Sequence, residues 1–181
     1  MPTPRLAEQT ITDATLELLR SHGPGAVTIE AVASRTGAAR TTIYRRFKNR
    51  REMLVAALSP LSTPRPLDAD APAETRMRWV IARSIDAVRD GIGFGGMAAL
   101  VTDADREFNE LFREILVDYR SLILSVIDDG RADGSFRADL DGDTLIDAIV
   151  GAYFSEQARC GEIGPDWQER LFGLFWPGVA A

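Results

Sequence analysis

Thr28-Ile29-Glu30-Ala31-Val32-Ala33-Ser34-Arg35-Thr36-Gly37-Ala38-Ala39-Arg40-Thr41-Thr42-Ile43-Tyr44-Arg45-Arg46-Phe47 decides how the chain folds. Thr28 is placed to cap a helix whose apolar residues, Ile29, Val32 and Ala33, share one face. Gly37 stops that helix, because it has no Cβ to oppose a left-handed turn. A second helix starts almost at once, over 39–47, with Ile43 and Phe47 four apart on its buried side. At about 100° per residue counted from Arg40, Ile43 and Phe47 fall near 300° and 340°, which leaves the opposite side, near 140°, to Thr41 and Arg45. Arg40 and Tyr44 form one flank of that side, Thr42 and Arg46 the other. All six carry hydrogen-bond donors, whereas an ordinary solvated helix mixes Glu with Lys. Two short helices around a tight turn, the second with a donor-rich face, have the layout of a helix-turn-helix, which lays its second helix in the major groove of duplex DNA.

On the N-terminal side, Ile11, Ala14, Leu18 and Leu19 recur at helical spacing and Gly23-Pro24-Gly25 ends the pattern, so a first helix is expected over about residues 5–22. On the C-terminal side a fourth helix starts near Arg50 and carries Met53, Leu54 and Leu58. Residues 59–73 hold Pro60, Pro64, Pro66 and Pro72, a spacing that regular helix does not tolerate, and this connector divides the chain into 1–58 and 74–181. Beyond it, Glu74–Gly91, Asp105–Asp129, Asp143–Cys160 and Trp167–Trp176 all show helical apolar spacing. With no alternating strand pattern of convincing length, the expected fold is all-α.

The net charge of the 181-residue chain is −6, which would oppose a polyanionic partner if it were spread evenly. It is not. Residues 1–58 hold nine basic against five acidic side chains, +4, and the remainder twelve against twenty-two, −10. Arg40, Arg45, Arg46, Lys48, Arg50 and Arg51 follow one another with no acid between them, so the local surface is positive where the donor-rich helix lies.

The same residues carry a family resemblance. Thr28 to Ala33, then Thr36-Gly37-Ala38, then Thr42-Ile43-Tyr44-Arg45-Arg46-Phe47, followed by Arg50-Arg51-Glu52-Met53-Leu54, closely resemble the DNA-binding domain of the tetracycline-repressor (TetR) family. The match in motifs covers about residues 5–58; further on, Gly134-Ser135-Phe136-Arg137-Ala138-Asp139 before an apolar helix also looks like this family. The resemblance implies that Thr28 caps its helix and touches a phosphate, that Arg40, Thr41 and Tyr44 read bases, and that Thr42, Arg45, Arg46, Lys48 and Arg50 bind phosphates. Arginine can take a guanine edge bidentately, which puts Arg40 first for specificity. Ala39 departs from the family, which usually has serine there; the recognition helix is thereby without a side-chain cap of about 1 kcal/mol and without that residue's hold on a phosphate.

For the C-terminal half the resemblance implies a helical regulatory and dimerisation domain. One helix-turn-helix buries little surface, and such sites are read as paired half-sites, so a homodimer on a palindromic operator is expected. The apolar helix from Asp143 and the last helix are the expected interface, with Leu145, Ile149, Ala152, Trp167, Leu171 and Phe175 as its residues. Proteins of this family typically release DNA when a small molecule binds among the C-terminal helices. Trp79, Phe94, Met97, Phe108, Phe112, Tyr119, Tyr153 and Gln157 are the candidates for lining such a pocket, and their character favours a small apolar effector. The other reading is a DNA-binding regulator with no small-molecule effector, governed by a protein partner or by abundance.

Enzymatic chemistry is not expected: His22 is the only histidine and no serine or cysteine nucleophile is set beside it. Asp139-Leu140-Asp141-Gly142-Asp143 has glycine at the fourth rather than the sixth position of a calcium loop and Val150 where a final Glu is required, so no metal is expected and helix capping accounts for the acids. Gly91-Ile92-Gly93-Phe94-Gly95-Gly96 follows a helix instead of a strand, which argues for a hinge or helix break and against a nucleotide loop; no cofactor is expected. The acids from Asp103 to Asp118 read as a solvated face. Cys160 cannot form an internal disulfide and is expected to be a packed thiol. No apolar run approaches the roughly 20 residues of a membrane span, and the polar start suggests no signal peptide, so no membrane partner and a cytoplasmic location are expected.

Overall fold

The computed structural model describes residues 4–62, 66–68 and 70–181, and over these the chain is helical, with no strand beyond one isolated bridge between Phe136 and Ala180. Pro64 of the connector and the polar start, Met1-Pro2-Thr3, lie outside the described residues. The helices are α1 (Pro4–His22), α2 (Ile29–Thr36), α3 (Arg40–Tyr44), α4 (Arg50–Leu58), α5 (Ala73–Asp86), α6 (Gly93–Thr102), α7 (Arg106–Ala132), α8 (Gly142–Cys160) and α9 (Trp167–Val179). No helix among the described residues is long and apolar enough to cross a membrane.

The chain forms two compact units, Met1–Thr63 with Ala87–Val117 and Pro64–Asp86 with Asp118–Ala181. The first has α1 at its centre, packed on α2, α4 and α6. Ile11, Leu19, Val27, Val32, Ile43, Met53, Leu54 and Leu58 are almost wholly buried. Each fully buried aliphatic side chain contributes about 1.5–3 kcal/mol relative to exposure. The Thr15 hydroxyl, buried among them, donates to the Ile11 carbonyl at 2.8 Å and so keeps its own hydrogen bond inside the core.

Between α5 and α6 the chain passes through Ala87–Ile92 as a π-type turn broken at Gly91 (φ −103°, ψ −106°), where the glycine run suggested a break. The helix that follows, α6, has no sequence signal. Gly93, Gly95 and Gly96 give it a weak intrinsic preference and its apolar residues show no clean period. It forms against α1: a Cβ at Gly93 would stand 2.7 Å from Arg20 Cα, and one at Gly95 2.8 Å from the Leu19 and Arg20 carbonyl oxygens. Arg20 Nε closes the joint by donating to the Gly91 carbonyl at 2.8 Å.

In the second unit α5 packs on α8 and α9. Met77, Val80, Ile81, Ile123, Ile127, Ile146 and Ile149 make its core, and Phe136 is buried against Gly130. The segment around Phe136 ties down the C-terminus, with Arg137 N donating to Val179 O at 2.9 Å. Asp141 caps α8 by accepting from Thr144 N at 2.9 Å, while Asp139 and Asp143 beside it pair with Arg137 and Arg120. Asp133 accepts from Ser135 N at 2.9 Å and from Arg76 at 2.5 Å. The Ser135 donors and the Arg76 guanidinium hold this carboxyl down to about 2. Cys160 departs from expectation. It is exposed, because it is the last residue of α8, where the chain turns out through left-handed Gly161.

Candidate nucleic-acid interface

Thr28 caps α2, its hydroxyl accepting from Ala31 N at 3.0 Å, and Gly37 ends that helix in the left-handed region (φ 68°). Ala39 heads α3 with extended backbone and no side-chain cap, as its methyl dictates. The α-helical part of α3 stops at Tyr44, short of the expected 47. The turn tightens there, Arg46 N and Phe47 N both donating to the Ile43 carbonyl at 2.9 Å.

Ile43 and Phe47 are buried, and Arg40, Thr41, Tyr44, Arg45 and Lys48 are exposed. Tyr44 is 52% exposed. Arg40 lies 3.6 Å from Glu30, both well exposed, a pair too weak to fix the guanidinium. Arg45 and Lys48 have no ion-pair partner among the described residues. Thr42 is half-buried, and Arg46 folds back toward α1, 3.3 Å from Glu8, with its Nε buried and unpartnered.

Two features of this region were not anticipated. Asn49 Oδ1 accepts from Glu52 N at 2.9 Å while Glu52 Oε2 accepts from Lys48 N at 2.7 Å, a reciprocal cap written in the sequence as Asn-x-x-Glu. Arg50 lies apart from the cations of α3. Its side chain is only 24% exposed, and the guanidinium points at the Pro24 and Val27 carbonyls and at Asp105 and Glu107. Asp105 is correspondingly 17% exposed, which corrects the reading of Asp103–Asp118 as a wholly solvated face.

The candidate pocket residues divide between the units. Phe94, Met97, Phe108 and Phe112 lie in the first, where Phe108 and Phe112 are buried and stacked with centroids 5.8 Å apart. Trp79, Tyr119, Tyr153 and Gln157 lie in the second. There the Tyr119 hydroxyl donates to the Arg83 carbonyl at 2.8 Å, Tyr153 meets Trp167 edge to face, and Gln157 Nε2 donates to the Gly161 carbonyl at 2.7 Å.

Of the residues expected at a dimer interface, Leu145, Ile149, Trp167 and Leu171 are buried within this chain, while Ala152 and Phe175 are half-buried. Outside them runs a furrow between α8 and α9, in two parts. One, about 310 Å³, is lined by Leu145, Ala148, Leu174, Phe175 and the Asp139–Thr144 turn; the other, about 220 Å³, by Ala152, Ser155, Trp167, Leu171, Leu174 and the pair Glu156–Arg170. None of the pocket candidates lines either part. Leu174, common to both, is 71% exposed. Glu156 accepts from Arg170 at 2.6 Å and from Gly164 N at 3.2 Å, and these donors hold its carboxyl below the usual carboxylate range.

The short capped α2, the left-handed turn at Gly37 and the donor-rich face of α3 define a helix-turn-helix DNA-binding protein. Residues 11–57 match the model of bacterial regulatory proteins, tetR family, so this part of the chain is a helix-turn-helix domain of the kind found in those DNA-binding transcriptional regulators. No curated protein matches the chain. Its fold is similar over the whole length to that of a protein from Saccharomonospora viridis classed among transcriptional regulators and bound to choline (TM-score 0.71, 20% identity, 98% of this chain and 99% of that one). It is also similar to the ketosteroid transcriptional regulator KstR2 of Mycobacterium tuberculosis (0.65, 16%, 100% and 97%) and to a TetR-family transcriptional regulator from Cytophaga hutchinsonii (0.67, 14%, 100% and 98%). Regulators of this family bind DNA, usually as dimers and with small-molecule ligands, and are generally non-enzymatic.

Proposed function

We propose that the protein is a cytoplasmic, homodimeric repressor that holds a palindromic operator and lets go of it when a small apolar effector binds. The observation that carries the reading is the outward face of α3, where Arg40, Thr41, Tyr44 and Arg45 stand exposed with no acid among them. Arg40, Thr41 and Tyr44 read bases; Thr28, Thr42, Arg45, Arg46 and Lys48 hold the backbone. Residues 1–58 form the reading head and 74–181 the regulatory and dimerisation part, joined through 59–73, with Ala87–Val117 of the latter belonging to the same compact unit as the head.

Pairing is supported by the furrow between α8 and α9. Leu174, 71% exposed, stands beside the grooves, and Ala148, Gly151, Ala152 and Ser155 are small enough to admit another helix. Small-molecule control is supported by the choline-bound neighbour of the same fold, and an apolar effector by the aromatic character of Trp79, Phe94, Phe108, Phe112, Tyr119 and Tyr153. Release is a population shift: the effector binds the DNA-incompetent arrangement more tightly, and only that difference moves the equilibrium.

Selection of bound duplexes from a random DNA pool tests the reading. Enrichment of a palindrome with half-sites about one helical turn apart, roughly 34–36 Å, is the expected result. A pool that stays random would overturn it.

A further inference from the structure

We propose that Arg50 is a positioning residue, the latch that fixes the helix-turn-helix on the first turn of α7, and that it influences DNA without touching a phosphate. The inference rests on the DNA-binding reading above but departs from the role that family resemblance gives this residue. Every arm of the guanidinium is engaged. Nε donates to the Val27 carbonyl at 3.0 Å, and Nη2 to the Pro24 carbonyl at 2.7 Å and to Asp105 Oδ2 at 2.5 Å. Nη1 donates to Glu107 Oε2 at 2.8 Å and, at the limit of a hydrogen bond, to Asp105 Oδ1 at 3.4 Å.

Arg50 and these partners join three places in the chain. Pro24 and Val27 form the turn that delivers Thr28 to the head of α2. Arg50 itself is the first residue of α4, and Asp105 caps α7 by accepting from Phe108 N at 3.0 Å. One planar fork therefore sets the turn before α2 and the start of α4 against the start of α7. Only arginine can do this, because a lysine ammonium is a point donor and cannot face two carbonyls and two carboxylates at once. Electrostatics agrees. One cation against Asp105 and Glu107 leaves the cluster with a surplus negative charge, which repels a phosphate, while Arg45 and Lys48 face solvent without an acid. The sequence hides this, since Arg50 and Asp105 are 55 positions apart.

The test uses the full chain with three variants, Arg50→Lys, Asp105→Asn and Lys48→Ala. Binding is measured well below the melting temperature on the duplex enriched from the random pool and on a mixed-sequence duplex over a range of salt. Under the latch, Arg50→Lys, which keeps the charge, and Asp105→Asn, which keeps an α7 cap, each weaken the enriched duplex about tenfold, with unchanged salt slope on the mixed one. The double variant is no worse than either single. Lys48→Ala lowers the slope by about 0.9 for each phosphate that the lysine no longer neutralises. A variant that is merely less stable binds like wild type under these conditions, and that result overturns the proposal. So does near-neutral Arg50→Lys binding together with an Asp105→Asn protein that binds all DNA more tightly, which is what a phosphate-anchoring arginine freed from a competing acid gives. Hydrogen exchange separates this proposal from the reading beneath it. If wild type binds no duplex, the regulator reading and the latch's effect on DNA both fall, yet faster exchange in the Pro24–Thr28 turn and the first turn of α7 in both variants still upholds the latch, and unchanged exchange removes it.

Discussion

The backbone of Gly95, in the first turn of α6, lies against the carbonyl of Leu19 in the last turn of α1, so close that a Cβ on residue 95 would stand 2.8 Å from that oxygen. The atoms it would meet are backbone, which cannot swing away as a side chain does. Gly95→Ala is therefore expected to force α6 off α1 and to destabilise the first unit by about 1–3 kcal/mol, the usual range for overpacking. Gly25→Ala is the control, since nothing stands within 4 Å of its Cβ and its φ is ordinary. Urea unfolding compares them, and equal midpoints would mean that α6 does not approach α1 this closely in solution.

The face of α3 divides base reading from backbone holding. Arg40→Ala is expected to relax base preference at one position of each half-site, by the roughly 1–3 kcal/mol that a bidentate arginine–guanine pairing supplies. Lys48→Ala leaves preference intact, weakens every sequence alike and flattens the salt dependence. Anisotropy titrations against the enriched duplex and its single-base variants report both quantities, and identical profiles for the two variants would refute the division.

Asp133 makes the second unit's stability depend on pH in the acid range. Its carboxyl lies near 2 in the folded chain against an ordinary 3.8, held there by the Ser135 donors and Arg76. A depressed carboxyl stabilises the fold above its unfolded value and loses that contribution as pH falls through its folded one. The difference in melting temperature between wild type and Asp133→Asn is thus expected to be constant above about pH 5 and to shrink between about pH 4 and pH 2. A difference that persists undiminished down to pH 2 would assign the effect of the substitution to something other than this ionisation.

How much of this was legible depended on how local the cause was. Thr28, Gly37, Ile43 and Phe47 act on neighbours within four positions, so their roles could be read from spacing, and so could the apolar periods of α1, α5, α7, α8 and α9. Helix α6 could not, because what makes Gly93-Phe94-Gly95-Gly96 helical is the nearness of α1, more than 70 positions earlier in the chain. The same distance hid Asp105. A carboxylate in an acidic run looks solvated until Arg50 is brought to it. At the furrow the difficulty was different in kind. Apolar spacing on α8 and α9 marks both the side that packs inward and the side left open, and it does not separate Leu145, Ile149, Trp167 and Leu171, which the chain buries, from Leu174, which it leaves exposed.

Leu174 decides whether the furrow pairs with a second copy. It stands on α9 between the two grooves, with Ala152 and Ser155 of α8 nearby, so a two-fold partner would set its own leucine into a groove of this chain. Because the side chain is 71% exposed here, Leu174→Glu removes almost nothing from the chain's own core and should leave the melting of the separate chain nearly unchanged. In a pairing surface the same change buries a carboxylate against apolar atoms, a penalty of several kcal/mol unless it is compensated. Light scattering after gel filtration is therefore expected to give twice the chain mass for wild type and a single chain for Leu174→Glu, with binding to the enriched palindrome weakened in step. A variant that stays dimeric would move the interface away from this furrow, and a monomeric wild type would remove the two-fold reader altogether.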